Sequence, residues 1–215
     1  MKKYKTNWDL TLLYKSPKDL QIEKDTLSIE KACADFEKKY RNKDFTSTSE
    51  KLLKALQDSD QLHKKMLGQK PWVYFALCSS LNSDDSYAGA MATKLGQRIS
   101  IASNKTTFFV LKISSIPKKE QKKFLSAPVL KTYQYMLKQV FEEAKHNLSE
   151  NEENLASLLS QSSYSMWVEG QERVLTQETV EFKGELIPIS KAQEIISELP
   201  KVERRDLYIK INRIY

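Results

Sequence analysis

The chain has 215 residues, room for one large domain or two small ones, and its 35 Lys and Arg against 28 Asp and Glu leave a net charge of +7. At 40% hydrophobic and 29% charged residues it can build a core, which excludes wholesale disorder, and five Gly with six Pro exclude a collagen-like or Gly/Pro-rich all-β chain. The longest apolar run, Trp72–Cys78, falls far short of the roughly 20 residues that span a bilayer, so no membrane helix is encoded. These numbers specify a soluble, mainly helical protein.

The N-terminus starts basic, Met1-Lys2-Lys3, but no apolar stretch follows, so it does not read as a secretory signal. Residues 17–41 read as a helix: Pro17 suits a first turn, and Ile29, Cys33, Phe36 and Tyr40 recur at three- and four-residue steps. Asn42-Lys43-Asp44 ends it. Ser47 with Glu50 forms a capping box before a second apolar stripe, Leu52, Leu53 and Leu56, which Gly68 closes and Pro71 keeps from continuing. The two segments make an antiparallel helical hairpin. From Pro71 to Leu81 the clustered Trp72, Tyr74, Phe75 and Leu77 leave little polar face, which places this segment in the middle of a bundle.

Asn82-Ser83-Asp84-Asp85-Ser86 is a turn whose acids suit a helix start. The next helix carries the small residues Ala88, Gly89, Ala90 and Ala92 and runs through Leu95 and Ile99 toward Phe108–Leu111. A short helix follows Pro117 and ends at Ala127-Pro128. Leu130, Tyr133, Leu137, Val140 and Phe141 form another stripe. A second capping box, Ser149 with Glu152, opens a long helix whose Leu155, Leu158, Leu159 and Trp167 are expected to point inward. The period then shortens to two: Val180 and Phe182, a Lys183-Gly184-Glu185 turn, and Leu186–Ile189 read as a β-hairpin. Ser190 with Gln193 is a third capping box, and a last helical pattern carries Val202, Leu207, Ile209, Ile211 and Ile214. That pattern halts while still apolar, so the sequence reads as cut off inside an element. A last turn docked on the body is an equal alternative.

Lysine clusters at Lys38-Lys39-Tyr40-Arg41, Lys64-Lys65, Lys118-Lys119 and Lys122-Lys123 raise the question of an anionic partner. Acids are interleaved through most of them, and no RNP motif, zinc finger or Gly-rich loop accompanies them. They therefore read as solvated helix faces, with no nucleic-acid or membrane partner. Cys33 and Cys78 lack a CxxC or Cys/His context and read as reduced, buried thiols of a cytoplasmic protein. His63 and His146 are the two histidines, and no HExxH is present. His146 and Glu150 are four apart but straddle a helix start, so a loop or capping role suits this histidine better than a ligand. GxSxG, GxxxxGK[ST] and GxGxxG are likewise missing. Glu152-Glu153 and Asp84-Asp85 sit near helix starts, where carboxylates complement the dipole. Trp8, Trp72 and Trp167 read as core and interface packing. The residues therefore nominate no catalytic, cofactor-binding or metal-binding side chain.

Several segments in register nevertheless resemble the N-terminal portion of oligoendopeptidase F-type zinc metallopeptidases, a branch of the thimet-oligopeptidase superfamily. They begin with Trp8-Asp9-Leu10-Thr11-Leu12-Leu13-Tyr14 and Phe36-Glu37-Lys38-Lys39-Tyr40-Arg41. The middle is the strongest part: Phe108-Phe109-Val110-Leu111, Ile116-Pro117, Ala127–Tyr133 and His146-Asn147-Leu148-Ser149-Glu150-Asn151-Glu152-Glu153. Trp167, Phe182-Lys183-Gly184 and Val202-Glu203-Arg204-Arg205 follow in family order. The resemblance implies a helical wall of a peptide-degrading chamber whose zinc is held by a downstream HExxH region. No position here matches that region, so the family's catalytic and metal residues do not carry over.

The expected architecture is a mainly α multi-helix bundle of helical hairpins with one small β-hairpin near the C-terminus. Residues 1–112 would be N-terminal helical hairpins, 113–178 an oligopeptidase F-like helical domain, and 179–215 the β-hairpin and the start of a truncated catalytic domain. The resemblance implies oligopeptide substrates, a missing C-terminal catalytic half as partner, zinc only in the full-length family, and no activity of this chain alone. The alternative is a stand-alone helical peptide-binding module without protease activity.

Overall fold

A computed structural model of the chain describes residues 8–82 and 85–214. The basic start Met1–Asn7, Ser83 and Asp84 of the acidic turn, and Tyr215 lie outside the described residues. The architecture is mainly α-helical with one small two-stranded antiparallel hairpin toward the C-terminal end, in agreement with the periodicity. The chain divides into two compact units, the first running to Leu159 and the second from Ser160.

In the first unit a 3-10 turn, Leu10–Leu12, leads to α1, Leu20–Tyr40. The helix starts later than Pro17 because Asp19 caps it: the carboxylate accepts from the Gln21 amide at 2.9 Å and from the Lys15 amide at 3.0 Å. Ile29, Cys33, Phe36 and Tyr40 are buried along one face, as their spacing predicts. α2, Ser49–Lys65, is capped one residue later than expected. Thr48 is extended there and its hydroxyl accepts from the Lys51 amide at 3.2 Å, while Ser47 Oγ accepts from Lys51 Nζ instead. Leu52, Ala55 and Leu56 face α1, and Phe45 from the connection plugs the joint, stacked on Phe109 with ring centroids 4.9 Å apart. Gly68, with φ +56°, occupies the left-handed conformation that lets the chain turn out of α2.

α3, Lys70–Leu81, takes Pro71 in its first turn and buries Tyr74 and Phe75 against α4, Ser86–Asn104. Asp85 caps α4 by accepting from the Ala88 amide at 2.9 Å. α3 is less central than its composition suggests, for Trp72 remains 38% exposed, lying beside Gly96. α4 also packs on α1, where Arg98 donates to Glu23 at 2.8 and 2.9 Å and to Glu30 at 2.8 Å.

α4 does not continue through Phe108. Thr106 folds back, its amide and hydroxyl both donating to the Ser103 carbonyl, and a separate α5, Thr107–Ser114, delivers Phe108, Phe109 and Ile113 into the core. α6, Lys118–Ser126, a 3-10 segment, Pro128–Tyr133, and α7, Gln134–Glu143, follow, with Phe124, Leu130 and Leu137 fully buried. Each such side chain removed from water contributes about 1.5–3 kcal/mol. After a 3-10 turn, Ala144–His146, α8 spans Glu150–Ser160.

In the second unit a π-helical turn, Gln161–Ser165, precedes α9, Met166–Gln177. β1, Thr179–Phe182, pairs with β2, Glu185–Pro188, in the register Val180 opposite Ile187. The two-residue turn takes Lys183 and Gly184 at φ +54° and +86°, the twist a tight hairpin needs. β2 runs straight into α10, Ile189–Ile195, so Pro188 rather than Ser190 stands at the cap and the third capping box does not form there. α11, Lys201–Asn212, completes a small core of Val180, Ile189, Ala192, Leu207 and Ile211.

One expectation is overturned throughout. Leu155, Leu158, Leu159 and Trp167 are between 47% and 72% exposed, and Trp8 is exposed as well. None of the three tryptophans is a core residue. α8 docks by its other side: Glu150, Glu153, Asn154 and Ser157, at helical steps of three and four, are the half-buried positions. Ser157 Oγ donates to Asn104 Oδ1 at 3.0 Å.

Candidate functional site

Three segments far apart in sequence meet around a groove of about 530 Å3 in the first unit. Arg41 comes from the end of α1; Phe108, Leu111, Lys112, Ser114 and Ser115 from α5 and its end; Ala144, Asn147, Leu148, Ser149 and Glu150 from the turn into α8. Arg41 is the clasp. Its Nε donates to Glu37 at 2.8 Å, its terminal nitrogens donate to the two Glu150 oxygens at 2.8 and 3.2 Å, and the guanidinium lies 4.6 Å from the Phe108 ring centroid. The Glu150 contacts, outweighing partial desolvation, hold Arg41 more firmly protonated than usual.

Asn147 Nδ2 donates to Ser114 Oγ at 2.7 Å, and Ser114 Oγ donates onward to the Leu111 carbonyl at 2.8 Å. Lys112 Nζ donates to the Lys43 carbonyl at 2.6 Å. The start of α8 is closed by its own side chains. The Ser149 amide donates to Glu152 at 2.8 Å, the Leu148 amide donates to Glu153 at 3.0 Å, and Ser149 Oγ accepts from the Glu152 amide at 3.4 Å. This is the capping box read from the sequence, extended by Glu153. The Ser149 hydroxyl and amide hold the Glu152 carboxyl below its ordinary range. The lining is polar at Arg41, Lys112, Ser114, Asn147, Ser149 and Glu150, each bonded within the protein, and it includes neither a histidine nor a cysteine.

His63 and His146 take other positions. His63 is exposed on α2, its Nδ1 2.8 Å from the Ser59 carbonyl. His146 is exposed at the end of its 3-10 turn; Asn147 is extended and breaks the helical relation to Glu150, which faces Arg41 instead. Among the described residues no cluster of three or more His, Cys, Asp or Glu could hold a metal ion. Cys33 is buried and Cys78 half-buried, both as free thiols, and burial pushes both thiols up, away from the reactive thiolate. No described helix is long and apolar enough to cross a membrane.

Sequence reasoning missed Arg41, Ser114, Asn147 and Glu150 as a constellation. Arg41 stood at the end of a basic cluster and Glu150 beside His146, both within family-like segments, but nothing there pairs them. A lone Arg at the end of a buried aromatic stripe is a local signal for Arg41, but not for Ser114, Asn147 or Glu150. The second unit has its own apolar groove on α9, about 460 Å3, lined by Trp167, Gly170, Gln171, Val174 and Leu175.

Compared with known proteins, residues 112–173 match the oligopeptidase F family. No curated protein matches the chain. Among solved structures, a chain from Chlamydophila abortus assigned as a peptidase is similar at 17% identity and a TM-score of 0.47. The likeness covers 97% of this chain and 35% of that one, so this chain spans about a third of the length of the structure it matches. Eight of the eleven groove residues, Lys112 to Glu150, fall within the matched region.

Proposed function

We propose that this chain is the non-catalytic, substrate-chamber-wall segment of an oligopeptide-cleaving zinc metalloendopeptidase of the oligoendopeptidase F type. The observation that carries the reading is the coincidence of the family match with the groove: the matched stretch supplies most of its lining, including the carboxylate that clasps Arg41. The apolar faces add support. α8 turns Leu155, Leu158 and Leu159 to solvent, and Trp167 and Val174 do the same on α9, a pattern suited to helices covered by further polypeptide and costly in a stand-alone binding module.

The described residues do not fit a zinc site. The two histidines lie on separate elements, outside any ligand cluster, so no hydrolytic step is assigned to this chain. Its part is to bind and confine an oligopeptide beside a metal held by other polypeptide. The test is a quenched fluorescent peptide assay with added zinc. The isolated chain is expected to be inactive, and hydrolysis is expected on adding an HExxH-bearing catalytic polypeptide of the oligoendopeptidase F type. Zinc-dependent hydrolysis by the isolated chain, or tight stoichiometric zinc uptake lost on changing His63 or His146, would refute the reading.

A further inference from the structure

The positive charge of this protein is gathered in one stretch. Residues 104–147 hold nine lysines and three glutamates with no arginine or aspartate, a surplus of six out of the chain's net +7. The fold sharpens this on α6. At 100° per residue Lys118, Lys119, Lys122 and Lys123 span an arc of about 140°, all four exposed, while Phe124 on the opposite side is fully buried. Glu120 lies at the edge of the arc, and Glu50 at the start of α2 is close enough to feel Lys123. Lys118, Lys119, Lys122 and the nearby Lys131 have no carboxylate within ion-pair distance among the described residues. Elsewhere some cations are paired, Lys39 and Lys54 with Asp58, Arg41 with Glu37 and Glu150, and Arg98 with Glu23 and Glu30, while exposed lysines without an ion pair among the described residues, such as Lys18, Lys24, Lys64 and Lys65, are spread over separate elements. α6 packs on both the 3-10 segment and α7, whose Val129, Tyr135 and Met136 are exposed.

We infer that the α6 face is a docking surface for an acidic polypeptide segment, rich in Glu or Asp with apolar residues interspersed. It lies apart from the groove and goes beyond the peptidase reading. Lysine ammoniums supply point charges without the flat fork that arginine brings to phosphates, and no aromatic ring stands within the lysine arc for a base to stack on. The apolar side of α6 is committed to the core, so the helix has no face to insert into a bilayer. Carboxylates on a flexible chain need only the ammoniums, and apolar side chains between them meet the adjoining elements, which expose Val129 and Tyr135.

The test is fluorescence anisotropy of the full chain with a labelled Glu-rich peptide containing leucines. A neutral peptide of the same apolar content, a short RNA and phosphatidylserine vesicles serve as competitors. A K118E/K119E/K122E/K123E variant is compared with K18E/K24E/K64E/K65E, which changes the net charge equally, and circular dichroism verifies that each folds. The acidic peptide should bind at low salt, weaken about tenfold from 50 to 300 mM salt, and lose about tenfold again in the α6 variant while changing less than about twofold in the other. Absence of binding, equal loss in both variants, equal affinity for the neutral peptide, or preferential binding of RNA or vesicles would overturn the inference.

Discussion

α1 and α8 carry the same kind of apolar repeat and meet opposite fates. In α1 the stripe of Ile29, Cys33, Phe36 and Tyr40 is buried, the last three against α2 and the α5 aromatics. In α8 the stripe of Leu155, Leu158 and Leu159 faces water, and the helix is held to the first unit by Glu150 and Ser157 from its polar side. A repeat at three and four residues states which side chains share a face. Whether that face is covered depends on what else is present to cover it.

Substitutions break or sharpen this contrast, and the largest effect belongs to the covered stripe. Leu52→Ala, which opens a cavity where α2 meets the main core, should lower stability by about 2–5 kcal/mol in denaturant melts. Acid comes next. Burial alone would raise the Asp58 carboxyl, but hydrogen bonds from Lys39, Tyr40 and Lys54 outweigh it and hold the group well below its ordinary value of 3.8. Its contribution to the α1–α2 contact is complete above that value and is lost as pH falls from there toward the depressed one. Asp58→Asn should therefore flatten the acid limb of the melting profile. At the hairpin, Gly184→Ala forces a side chain onto φ +86° and should cost about 1 kcal/mol. Smallest of all, Leu155→Ser and Trp167→Ser should change stability by no more than about 0.5 kcal/mol while reducing aggregation in light scattering. A loss as large as that of Leu52→Ala would show that these side chains are covered within the chain itself.

The same contrast explains what could be read beforehand. The stripes of α1 and α2, the Ser149–Glu152 box and the Lys183-Gly184 turn depend on neighbours within a few residues, and each was legible in the sequence. The break at Lys105-Thr106 was not, because apolar residues run on both sides of it and a hydroxyl competing for the Ser103 carbonyl decides it. Nor was the shift of the α2 cap from Ser47 to Thr48, a choice between two adjacent hydroxyls. The groove was hidden for a different reason: it is assembled from three stretches, and nothing local to Arg41 announces a partner at Glu150.

The Arg41–Glu150 clasp joins positions 109 residues apart, and that separation has a consequence for synthesis on the ribosome. The core that α1 and α2 share can close once α5 to α7 have emerged, but the recess beside Phe108 has no far wall until α8 has left the exit tunnel. A growing polypeptide would thus pass through a stage in which the main core of the first unit is complete and the cleft is not.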